Sequence, residues 1–156
     1  MKFNFPAIEK GYGFNEYKGD VVLIKSKLND GTPYFRIILR GRCLNAYKIE
    51  NGDRIVIGYT TEESGFGYSR NLISFMNIKT GGKHKWGCYK AQGRGDGYEL
   101  TIQSKHDVNA LTEFLKGKDG AEYKLLKDQD SEAYFIDENE LWDDAKARRY
   151  EFLGGR

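Results

Sequence analysis

Short apolar runs bounded by turn residues dominate the first half of the chain. Asp20-Val-Val-Leu-Ile-Lys-Ser26 and Tyr34-Phe-Arg-Ile-Ile-Leu39 flank Asn29-Asp30-Gly31, a tight-turn signal, and together predict a hairpin. Arg40 to Tyr47, with Leu44, Ala46 and Tyr47, predicts a short helix closed by Asn51-Gly52. Strands are then expected over 53–59, where Ile55 and Ile57 share one face, over 72–78 and, after Thr80-Gly-Gly82, over 86–89 and 98–102.

At Ser104 the period changes. Ser104-x-x-Asp107 resembles a capping box, Val108, Leu111, Phe114 and Leu115 follow at helical spacing, and Gly117 stands where a C-cap glycine belongs. Tyr123–Leu126 and Ala133–Ile136 predict a hairpin across Asp128-Gln-Asp-Ser131. A last helix is expected over 137–152, capped by Asp137 and Glu140, with acids before Lys146, Arg148 and Arg149 in the order that a helix dipole favours.

The expected fold class is therefore α+β and β-rich. It would be a barrel or a strongly twisted antiparallel sheet, with one short helix, one middle helix and a C-terminal helix, in a single domain over 1–156. The order strand, helix, turn, strand, strand occurs over 33–78 and again over 98–136. On that pattern two pseudo-repeats would make Asn51-Gly52 equivalent to Asp119-Gly120, and Phe75 to Phe135.

Composition supports many short strands: 19 Gly and 20 Tyr or Phe stand against 2 Pro in 156 residues. A chain of this length can bury a core without disulfide or metal staples. Net charge is +2 but unevenly spread, with 17 basic against 11 acidic residues over 1–110 and 8 against 12 over 111–156. Cys43 and Cys88 have no CxxC spacing, Met1 to Ile8 reads as a first strand or arm, and no apolar run has membrane-spanning length. The expectation is a cytoplasmic protein with reduced thiols and no membrane association.

Arg36-Ile-Ile-Leu-Arg-Gly-Arg-Cys-Leu-Asn-Ala-Tyr-Lys-Ile-Glu-Asn-Gly-Asp-Arg-Ile-Val-Ile-Gly58 resembles the swapped-hairpin pattern of AbrB and MazE proteins: a strand, a short helix with Arg and Leu, then a Gly-Asp-hydrophobic strand. It covers about a sixth of the chain and departs from the family at Arg40, where a Pro normally opens the helix. The resemblance implies a DNA-binding regulator built from interleaved hairpins, as a homodimer or, with two units in one chain, as a monomer.

Residues 64–95 contain no Asp or Glu but six cations, Arg70, Lys79, Lys83, Lys85, Lys90 and Arg94, interleaved with Phe66, Tyr68, Phe75, Trp86 and Tyr89. Positive charge among flat rings suits a phosphate backbone and unstacked bases, of DNA or RNA. The expected contacts are Lys79, Lys83, Lys85, Lys90 and Arg94 on phosphates and Trp86 and Tyr89 as stacking surfaces, with Arg36, Arg40 and Arg42 as a second basic cluster. The competing reading makes the cations decorate an ordinary turn while Trp86 and Tyr89 enter the core.

No catalytic function is expected, because GxSxG, HExxH and any nucleophile–base pair are missing from the sequence. No metal or other cofactor is expected either: His84, Cys88, Cys43 and His106 lack the paired spacing of structural zinc sites. The alternative function is a phage or mobile-element accessory protein that binds and inhibits a host protein such as a nuclease or polymerase. There Glu140, Asp143 and Asp144 would imitate a phosphate backbone. Charge reversal at Lys83, Lys85 and Lys90 is expected to abolish retention on a DNA resin at low salt, whereas reversal at Glu140, Asp143 and Asp144 is expected to abolish only capture of a protein partner.

Overall fold

The computed structural model describes residues 17–63, 65–79 and 87–142. Ten strands and two helices follow in the order β1 (Val21–Lys27), β2 (Pro33–Leu39), α1 (Cys43–Ala46), β3 (Arg54–Glu63), β4 (Ser69–Asn77), β5 (Cys88–Lys90), β6 (Gln92–Arg94), β7 (Gly97–Ile102), α2 (Lys105–Phe114), β8 (Gly120–Tyr123), β9 (Leu126–Lys127) and β10 (Tyr134–Asp137). They form two antiparallel five-stranded sheets, ordered β6-β7-β2-β1-β8 and β5-β3-β4-β10-β9. Neither closes on itself, so the expected barrel is replaced by two open sheets.

Alternation explains why the sheets face each other. In the first, the register Val21↔Leu39 and Leu23↔Ile37 continues as Ile37↔Leu100 and Phe35↔Ile102, which aligns these side chains on one buried face. In the second, Ile57↔Phe75 and Ile73↔Ile136 do the same, while Tyr59, opposite Ile73, stands at the exposed end of that face. Residues of both faces belong to one apolar cluster, with Val108, Leu111, Phe114 and Leu115 of α2 added to it. Each fully buried aliphatic side chain there contributes about 1.5–3 kcal/mol.

Most predicted elements are present. The first hairpin turns at Gly31, where φ is +88, and α1 lies within the expected short helix. The segment 33–78 runs strand, helix, strand, strand, whereas 98–136 has three strands after its helix, and the pairings differ as well: β3 and β4 form a hairpin, whereas β8 pairs with β1. The hairpin across 128–131 forms with β9 in place of Tyr123, which belongs to the first sheet.

Two expectations need correction. The stretch 137–142, predicted to open the C-terminal helix, is not helical: Asp137 ends β10 opposite Leu72, and Leu141 bridges Tyr123. Residues 143–152 of that helix lie outside the described residues. At α2, Ser104 is extended but its side chain makes no capping bond, and Asp107 serves elsewhere.

The chain passes between sheets near 40–53, at Ala91 and at 124–125, and buried carboxylates hold these crossings. Asp20 accepts hydrogen bonds from the Arg42 N–H (3.1 Å), the Arg42 guanidinium (2.8 Å) and the Leu125 N–H (2.9 Å), joining the first crossing to the third. Asp53 accepts from the Glu50 N–H and the Asn77 amide, both at 2.9 Å, while its own carbonyl receives the Ala91 N–H at 2.7 Å. Gly41 makes the first joint possible: its φ is +56, and a Cβ there would stand 2.5 Å from Asp20 Oδ1. Asp20→Ala is expected to cost about 3 kcal/mol in urea unfolding, because it leaves buried donors unpaired. Gly41→Ala is expected to cost at least about 1 kcal/mol in the same measurement, for reasons of strain and displaced carboxylate.

Candidate nucleic-acid interface

The described cations of the acid-free stretch other than Lys90 meet acids that lie outside it, some near in sequence and some distant. Arg70 pairs with Glu62 at 2.7 Å and with the buried Asp137 at 2.5 Å. Lys79, whose φ is +62, places its ammonium 3.3 Å from Asp53 and also bonds the Lys48 carbonyl. Arg94 reaches Glu99 at 3.1 Å, on the same carboxylate that Arg36 approaches at 2.6 Å.

The second basic cluster is engaged in the same way. Arg40 pairs with Asp96 at 2.9 Å and donates to the Gly19 carbonyl at 2.6 Å, while Arg42 is tied to Asp20. These pairs leave their marks on the acids. The Arg40 hydrogen bond holds the Asp96 carboxyl below the usual Asp value. Burial opposes ionisation of Asp53, but bonds from Asn77 and the Glu50 N–H, with Lys79 beside it, outweigh that cost and lower its pKa too.

Tyr89 faces inward. It stands opposite Ile55 in the register, and its hydroxyl donates to the buried Asp107, which also receives the Tyr59 hydroxyl at 2.5 Å. Burial, followed by the Asp107 carboxylate, pushes both phenol pKa values up. Asp107, expected in a capping box, thus ties α2 to β3 and β5. The ring edge of Tyr89 is accordingly spent on packing.

One expected contact stays free of carboxylates. Lys90 is exposed and lies directly opposite Arg54, which is exposed as well, and neither has an ion-pair partner among the described residues. Beside them Val56 is in register with both Cys88 and Met76, giving an apolar strip whose Met76 is 58% exposed. Arg54 was not among the sequence candidates. Its signal is the period-2 alternation of β3, which sends Ile55 and Ile57 inward and Arg54 and Val56 outward.

Lys83, Lys85 and Trp86 fall in 80–86, outside the described residues; that stretch connects Lys79, next to the end of β4, with Gly87 at the start of β5. Glu140 is exposed after β10 and donates its N–H to the Asp137 carbonyl at 3.0 Å, and Asp143 and Asp144 lie outside the described residues.

Cys43 is buried beneath Asp20, and burial followed by the Asp20 charge pushes its thiol pKa up. Among the described residues no group of three or more His, Cys, Asp or Glu is placed to hold a metal ion, and no helix is long and apolar enough to cross a membrane. No known protein family, curated protein or solved structure matches this chain.

The depressed carboxyls predict an acid dependence. Stability from Asp53 and Asp96 is fully present above the ordinary Asp pKa of about 4 and is lost as pH falls through their lower folded values. The urea midpoint should therefore drop below about pH 4, and Asp53→Asn should make that drop shallower while lowering the midpoint at neutral pH.

Proposed function

We propose that this chain is a non-enzymatic nucleic-acid-binding protein whose contact surface is the outer face of β3 and β5. The observation carrying this reading is the Arg54–Lys90 pair. Two like charges directly opposite in a ladder destabilise it, and an anion seated between them removes the repulsion. Every other candidate cation among the described residues is engaged by a carboxylate, so of those candidates Lys90, with Arg54 opposite it, is the one whose charge is open to a phosphate.

The strip of Val56, Cys88 and Met76 beside the pair offers apolar surface to a base or sugar. Lys83, Lys85 and Trp86, in the sequence between β4 and β5, are further contacts in this reading on their charge and aromatic character alone. Arg36, Arg40, Arg42, Lys79 and Arg94 become supports of the scaffold, and the protein acts in the cytoplasm as a regulator of the nucleic acid that it covers.

A second reading, inhibition of a host protein, draws on the β3–β4 hairpin tip, where Phe66 is 89% and Tyr68 75% exposed. Aromatic side chains presented on a narrow ribbon are suited to a pocket on another protein. Phe66→Ser with Tyr68→Ser would then remove capture of that protein and leave nucleic-acid binding unchanged.

Fluorescence anisotropy with labelled single-stranded and duplex oligonucleotides tests the main reading. Wild-type protein should bind, and the affinity should fall steeply between about 50 and 200 mM salt. Arg54→Glu with Lys90→Glu should weaken binding by at least about tenfold and flatten the salt slope. Arg40→Met should lower the urea midpoint with little change in affinity. Salt-independent binding, no binding at low salt, or equal loss with Arg40→Met would each overturn the assignment.

A further inference from the structure

A second feature lies on the opposite side of β3, between the end of that strand, β4 and α2. It is a cleft of about 430 Å³, within the size range of small-molecule sites. Along α2, His106, Ala110 and Glu113 recur at helical spacing and line one wall; Tyr59 and Ile73 line the other, with Phe114 at the base.

Tyr59 is held in place rather than free to turn. Its hydroxyl is fixed on Asp107 at 2.5 Å, and its ring meets His106 edge-on, with centroids 6.1 Å apart. The aromatic wall is therefore preorganised, and such a wall binds flat apolar bodies and cations at low conformational cost.

Charge selects between those ligands. Glu113 is exposed at the cleft and makes no ion pair or side-chain hydrogen bond among the described residues, whereas the Asp107 carboxylate is buried outside the cleft lining and occupied by the Tyr59 and Tyr89 hydroxyls. Among the described residues no Lys or Arg lines the cleft, and His106 is the only basic side chain that does. Thr61 and Asn71 bond to each other at 2.9 Å and Thr60 offers a neutral hydroxyl, so Glu113 is the one carboxylate among the described lining residues.

We propose that this cleft binds a small organic cation on a flat apolar body, with its ammonium or amidinium on Glu113 and its ring against Tyr59. The site is separate from the Arg54–Lys90 face, which attracts the opposite charge. Both can be occupied in one molecule.

Benzamidinium is the probe, titrated into isotopically labelled full-length protein near neutral pH and followed by amide NMR. Saturable shifts are expected at Tyr59, His106, Ala110 and Glu113, with Glu113→Gln weakening binding at least about fivefold. Ala110→Phe, which fills the cleft, should abolish the shifts while amide dispersion elsewhere is kept. Neutral benzamide and anionic benzoate should bind much more weakly. The inference is overturned by absence of saturable shifts at these residues, by benzoate binding as tightly as benzamidinium, or by unchanged affinity in Glu113→Gln.

Discussion

Buried carboxylates are the constraint on which this fold depends. Asp20, Asp53, Asp107, Glu122 and Asp137 are the buried charged residues among the described ones, and each sits where two parts of the chain meet. Asp20 and Asp53 hold the passages between sheets, Asp107 ties α2 to β3 and β5, and Glu122 receives the Lys18 and Gly19 N–H groups at 2.9 Å. Asp137 closes the last strand on Arg70. An ionised carboxylate is costly to bury unless donors surround it, and irregular crossings have backbone donors to offer that sheets do not.

This arrangement redistributes the positive charge. A carboxylate at a joint recruits a cation wherever the backbone donors do not suffice, so Arg42, Arg70 and Lys79 are bound to the interior although their sequence neighbourhoods contain few acids. The acid-free stretch of 64–95 is thus compensated across space by residues such as Asp53 and Asp137. Among the cations that the register sets directly opposite one another on the sheets, Arg54 and Lys90 stand exposed and without an ion-pair partner among the described residues.

Local patterns in the sequence were legible because local physics dominates them. Asn29-Asp30-Gly31 marked the first hairpin, and Val108, Leu111, Phe114 and Leu115 marked α2 through a period that only a helix buries. The partition into two sheets depends on pairings such as Val21↔Tyr123, which no window of sequence contains. Asp137 and Glu140 read as a helix start, but the strand pairing with Leu72 and the Arg70 ion pair outweigh a cap worth about 1 kcal/mol. Similarly, Arg54 lies outside the acid-free stretch that marks the basic segment, and Tyr89 is drawn inward by Asp107, on a helix 18 positions away.

A double-mutant cycle between Arg70 and Asp137, measured by urea unfolding of Arg70→Gln, Asp137→Asn and the double variant, tests most directly whether cations of the acid-free stretch are held by buried acids. Coupling of at least about 1 kcal/mol is predicted, since the pair joins the β3–β4 hairpin to a nearly fully buried carboxylate. Additive effects, with coupling below about 0.3 kcal/mol, would contradict the account and return Arg70 and its neighbours to the surface.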